Sequence, residues 1–162
     1  MKITHIKKFG WFVTDTSIDG ANQSVQVQVK SIDDVVSCTH GEDVIFCNPD
    51  NLFPIVVMEV DLLRNGFEFR QVTSQLKDFS LSDRRKVEGG EADIVTNISI
   101  RILDSNSESY DICIDQHLEW GNGQRKNIML SERWGLLYVH HLQDYLREVG
   151  FEELADNFKM ED

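Results

Sequence analysis

Between Ile94 and Leu118 the chain alternates so regularly that few folds can accommodate it. Ile94, Ile98, Ile100 and Ile102 fall on one side of an extended segment, while Val95, Asn97, Ser99 and Arg101 fall on the other. A second run answers it, with Tyr110, Ile112, Ile114 and Leu118 alternating against Asp111, Cys113, Asp115 and His117. Period two over this length marks half-buried β-strands. The intervening Asp104-Ser105-Asn106-Ser107-Glu108-Ser109 is made of turn formers, so the two runs predict a hairpin. A register that keeps isoleucine opposite isoleucine sets Arg101 near Asp111 on the wet side.

The rest of the chain is read outward from that hairpin. Alternation of Phe9, Trp11 and Val13 predicts a first strand ending near Thr14, and Val25, Val27 and Val29 predict a second over Gln23 to Lys30. Ser31 to Cys38 suits a short helix capped by Ser31 with Asp34 in its first turn, although Val35 and Val36 suit a strand equally. Asp43 to Cys47 is expected as a strand closed by the turn Asn48-Pro49-Asp50-Asn51. Ile55 to Leu63 is expected as a more buried strand, paired across Asn65-Gly66 with Phe67 to Arg70. Leu76 to Ala92, rich in charge and serine, is expected as a surface loop with one helical turn around Asp83 to Val87. After Gly121-Asn122-Gly123 a short strand over Asn127 to Leu130 precedes a helix capped by Ser131. That helix would bury Trp134, Tyr138, His141, Leu142, Tyr145 and Val149, and Gly150 would end it. A short helix from Phe151 to Phe158 completes the chain. Strands joined by hairpins, with helices gathered at the end, predict an α+β fold. It would be one domain over residues 1–162, with a mainly antiparallel sheet of six or seven strands and the C-terminal amphipathic helix and short terminal helix packed on one face.

Charge narrows the partners. Acidic residues number 28 against 16 basic ones, a formal net charge of −12. Nucleic acid is bound by clustered lysine and arginine, and only Lys7-Lys8, Arg84-Arg85-Lys86 and Arg125-Lys126 form short basic runs, each expected in a solvated loop. Nucleic acid is therefore not an expected partner. No apolar run approaches the roughly 18 residues that a spanning helix needs, and the polar face of the C-terminal helix mixes acids with bases where a membrane surface selects basic faces. No membrane association is expected. Three cysteines, Cys38, Cys47 and Cys113, cannot pair completely within one chain, which points to a reducing, cytoplasmic setting.

Chemistry-bearing groups are sparse. Cys38, His40 and Cys47 are a thin basis for a metal site, because structural zinc wants four ligands in close-spaced pairs and no second pair follows; neither metal nor cofactor is expected. His140 and Asp144 stand four apart on the expected helix, near enough to interact, and His141 is expected to be packed. Cys113 could serve as a nucleophile, but Asp111 and Asp115 beside it disfavour the thiolate. The glycine turns match no phosphate-binding fingerprint.

The remaining feature is an acid series, Asp104, Glu108, Asp111, Asp115 and Glu119, with Trp120 at its end and no lysine or arginine inside it. Rigid acids beside an aromatic suit protein recognition, the charge setting encounter rate and the ring supplying burial. These residues lead to the expectation of a non-enzymatic acidic binding protein, most concretely an immunity-type inhibitor of a basic toxin such as a nuclease. Two rival expectations are an enzyme whose site draws on His140, Asp144, Cys38, His40 or Asp115, and a regulatory module that binds by adding a strand to a sheet edge.

Overall fold

The computed structural model describes residues 6–18, 20–33, 35–103 and 109–160. Among the described residues ten strands form two antiparallel five-stranded sheets, and with the C-terminal helices they make an α+β protein. The first sheet contains β1 (Trp11–Ile18), β2 (Ala21–Ile32), β3 (Val36–His40), β4 (Asp43–Cys47) and β5 (Leu52–Pro54) in the order β4-β3-β2-β1-β5. The second is a meander of β6 (Glu68–Gln71), β7 (Leu76–Lys86), β8 (Ala92–Leu103), β9 (Tyr110–Trp120) and β10 (Arg125–Leu136). The α-helices among the described residues are α1 (Glu59–Arg64), α2 (Val139–Glu148) and α3 (Glu152–Asp156), and a 3-10 turn occupies Pro49–Asn51. Two five-stranded sheets stand where one sheet of six or seven strands is expected, and the chain falls into two compact units. Residues Met1–Asp61 and Tyr138–Asp162 form the first, and Leu62–Leu137 form the second.

In the first unit Val25, Val27 and Val29 of β2 point into a core with Phe12, Val36, Cys38, Cys47 and Leu52, as alternation requires. β1 takes the opposite phase from the expected one, since Phe12 and Thr14 are buried rather than Trp11 and Val13. The cause lies just upstream. Phe9 adopts a left-handed φ of 63° and donates its amide to the Val29 carbonyl at 2.7 Å, so the residue that looked like a strand position belongs to a turn. The helix expected from Ser31 gives way to strand. β2 runs on to Ile32, and a register shift between Val29 and Ser31 lets it pair with β3, giving the backbone its ladder partners. Asp34, the expected first-turn acid, lies outside the described residues.

The hairpin of the second unit has the expected register, with Ile98 opposite Ile114, Ile100 opposite Ile112, and Arg101 opposite Asp111. Ile98, Ile100, Ile112 and Ile114 are buried with Phe79 and Tyr110. The turn residues 104–108 lie outside the described residues. Beside the hairpin, Leu76 to Lys86 is strand β7 rather than a loop. It pairs with β8 without interruption from Leu76 opposite Leu103 to Lys86 opposite Asp93, so its backbone has ladder partners; Asp78 and Phe79 are buried, while Asp83, Arg84, Arg85 and Lys86 are exposed. Ile55 to Leu63 is also corrected, because α1 occupies Glu59–Arg64. Asn65-Gly66 stops that helix instead of turning a hairpin. Gly66 has a φ of 85°, its amide donates to the Leu63 carbonyl, and the Phe67 amide donates to the Leu62 carbonyl, which is the Schellman arrangement.

The C-terminal helix begins at Val139, not after Ser131, because Ser131 to Leu136 belong to β10. Gly135, with a φ of 67°, lies where the register shifts between Arg133 and Leu136. Trp134 therefore stands on a strand and is 73% exposed. The shortened helix buries Leu142 and Tyr145 as expected, but the rest of its inward face differs. His140 and Gln143 are buried, whereas His141, expected in the packing, is exposed.

Replacing a fully buried isoleucine by alanine costs roughly 2–5 kcal/mol, and surface changes stay within about 0.5 kcal/mol. Ile100→Ala is expected to fall in the first range and Trp134→Ala in the second when both are followed by urea denaturation. A loss under about 1 kcal/mol at Ile100 would contradict the assigned hairpin core.

Candidate functional site

Asp111, Asp115 and Glu119 lie two pleats apart on β9 and share one face of the second sheet, as alternation demands. Their charges are engaged within the unit. Glu119 receives Arg84 Nη2 at 3.1 Å and Arg125 Nη2 at 3.3 Å, and Arg84 Nη1 also binds Asp93 at 2.9 Å. His117, only 5% exposed, sits between Asp115 at 3.2 Å on Nδ1 and Glu119 at 3.3 Å on Nε2. Asp111 accepts the Gly135 amide at 2.9 Å and so ties the β10 bulge to β9. The arginines come from strands β7 and β10, from segments that sequence reasoning placed in loops. Arg84 and the hydrogen-bonded His117 hold the Glu119 carboxyl below its usual range, and the two acids raise Arg84.

The expected aromatic is on the other side. Trp120 pairs with Ala92, on the isoleucine face, so it does not accompany Asp111, Asp115 and Glu119. Exposed apolar groups near these acids come from β10 instead: Leu130, opposite Asp115 and 70% exposed, and Trp134 beside the bulge that Asp111 holds. Asp104 and Glu108 lie outside the described residues. Cys113 is a poor nucleophile here, its thiol pushed up first by burial and then by Glu132 across the strand pair.

The first unit disperses the remaining candidates. Cys38 and Cys47 lie in its core, where burial, and secondarily Cys47, push the Cys38 thiol up to about 12. His40 Nδ1 meets the Gln26 carbonyl at 2.9 Å, which makes that nitrogen the donor. Among the described residues no three potential ligating side chains gather as they would around a metal. His140 lies in a ring stack with Phe12, at 4.9 Å between centroids, and with Tyr138 at 5.7 Å. Asp144 is held by Arg147 at 3.1 Å and Lys7 at 3.5 Å.

What this unit does form is a groove of about 1090 Å³. Trp11 and Val13 of β1, Gln26 and Gln28 of β2, and Thr39 of β3 occupy the sheet face opposite Phe12, Val27 and Cys38. Asp156 to Met160 lie across one side of that face. This wall is fastened by hydrogen bonds from Trp11 Nε1 to the Phe158 carbonyl at 2.7 Å and from Gln28 Nε2 to the Asp156 carbonyl at 3.2 Å. At the other end stands the β3–β4 turn, where Gly41 takes the positive φ of 58° that a two-residue hairpin asks of its first position, presenting Glu42 and Asp43.

No known family, curated protein or solved structure matches the chain. Charge distribution separates the two units. Of the 28 acidic and 16 basic residues, 16 and 6 belong to the first unit, against 12 and 10 in the second, so the two units carry net charges of −10 and −2. The hairpin acids that stand out in sequence lie in a nearly balanced unit, and the excess lies in the unit that holds the groove.

Glu119 supplies a pH test of its ion pairs. Its folded carboxyl is depressed, so these pairs stabilise above the unfolded value, near 4.5, and that contribution is lost as the pH falls through the folded value. Glu119→Gln should thus lower the urea midpoint at neutral pH and make much less difference near pH ~3. An equal effect at both pH values would show that the carboxylate is not held by Arg84 and His117.

Proposed function

We propose that this chain is a non-enzymatic acidic binding protein, most concretely an immunity-type inhibitor that neutralises a basic toxin, such as a nuclease, by protein–protein contact. The observation that carries the proposal is the concentration of a −10 charge in the unit whose sheet face is open. A nuclease presents a basic cleft to phosphate, and a rigid acidic surface competes for it while speeding encounter. The dispersal of His140, Asp144, Cys38 and His40 into packing and ion pairs favours binding over catalysis.

A second surface is favoured by the edge of the other sheet. β10 pairs with β9 alone among the strands and exposes Ile128, Leu130 and Trp134, the pattern on which a partner adds a strand. In that mode affinity comes from main-chain hydrogen bonds and apolar pockets and depends weakly on salt.

Precipitation of partners from the native host by the full chain separates the two. The inhibitor reading predicts capture of a basic protein that is released as salt rises from about 0.05 to about 0.5 M, where screening shortens from roughly 14 to 4 Å. It also predicts that co-expression relieves the captured protein's toxicity. Capture that survives high salt and is lost on Leu130→Asp would favour strand addition, and a captured partner without toxicity would overturn the inhibitor assignment.

A further inference from the structure

We propose that the groove on the first sheet holds an extended segment of another protein that carries lysine or arginine side chains. This deepens, and rests on, the reading of the chain as an acidic binding protein.

The charged residues lining the groove are three carboxylates, Glu42, Asp43 and Asp156, against one cation, Lys159. His40 donates through Nδ1 to the Gln26 carbonyl, which leaves Nε2 as the ring nitrogen free of that bond. Gln26 Oε1 is shielded from solvent and accepts no hydrogen bond among the described residues. Glu42 and Asp43 form no ion pair with the described residues, in contrast to Asp156 on the far wall, which is held by Arg147 at 2.9 Å. Such a lining selects a ligand rich in N–H donors and positive charge.

Size and floor specify the kind of cation. Small-molecule pockets run to roughly 300–1,000 Å³ and enclose their ligand, whereas this one is about 1090 Å³ and lies open along a sheet face. Trp11 and Val13 offer an apolar strip on which the methylene stems of lysine and arginine can lie while their heads reach the acids. The ladder of Ser24, Gln26 and Gln28 repeats every second residue, the spacing at which an extended partner presents its own side chains.

The test titrates the isotope-labelled full chain with a synthetic octapeptide alternating lysine and valine, followed by the NMR signals of the Trp11 indole and the Gln26 and Gln28 side-chain amides. Saturable shifts at these groups are expected, with none from the same peptide carrying glutamate for lysine. The pair Glu42→Gln and Asp43→Asn should weaken binding about tenfold, the scale expected for two exposed charge contacts. The pair Glu152→Gln and Glu153→Gln, an equal charge change on α3, should weaken it less than about twofold. Equal weakening by both pairs, shifts centred elsewhere, or no saturable shift would overturn the groove assignment. Failure of the parent reading looks different. A toxin captured by the intact chain and held equally by the Glu42→Gln, Asp43→Asn chain removes the groove but keeps the inhibitor, whereas peptide binding in the groove without any basic partner keeps the groove and removes the inhibitor.

Discussion

The first unit depends on one buried amide. Gln143, with no solvent exposure, donates through Nε2 to the carbonyls of Phe9 and Ala155, each at 2.8 Å, and accepts the Trp11 amide at 3.2 Å. Backbone groups from the entry to β1 and from α3, chain segments more than 130 residues apart, are thereby satisfied by a single side chain on α2. A buried amide left without partners costs about 1–3 kcal/mol per orphaned group, so the site tolerates few alternatives. Its geometric result is the groove. With α3 fixed by Gln143, and Asp156 clamped by Arg147, residues 156 to 160 run where Trp11 and Gln28 can hold their carbonyls.

The second unit is built on another constraint, the facing isoleucines of β8 and β9. Burying one side of that hairpin leaves the other polar. The unit settles the polar side by pairing rather than by exposing charge: Arg84, Arg125 and His117 converge on Glu119, and Asp111 serves a backbone amide. Acids used this way order a sheet face and have little field left to attract a partner. The long-range attraction of the protein accordingly resides in the other unit, whose acids outnumber its bases by ten. A basic partner would be steered there first.

Period-two alternation places β2 and the β8–β9 hairpin, with its register, from residues alone, and the apolar run Val44-Ile45-Phe46 places β4. The failures share a cause. Phe9, Asn65-Gly66 and Trp134 each carry a local signal that backbone geometry reassigns: a left-handed turn, a helix stop and a bulge next to a glycine of positive φ. Strand β7 is hidden in the sequence because its buried part is confined to Asp78 and Phe79, while Ser82 to Lys86 pair with β8 and stay exposed. At the candidate sites, the acids of β9 were legible as a row, but their partners come from strands roughly 35 and 6 residues distant in sequence, a relation that only register discloses. Gln143 resembled an ordinary solvated helix position. Its place one residue after Leu142 and two before Tyr145 in a short amphipathic helix is the one hint the chain offers.

Hydrogen exchange on the full chain, alone and bound to a captured basic protein, tests most directly whether the first unit's open face is the contact surface. New protection should appear in the amides of β2, β3, the turn around Glu42, and residues 156 to 160, with those of β9 and β10 unchanged. Protection concentrated in β9 and β10, with the groove strands exchanging as before, would contradict it.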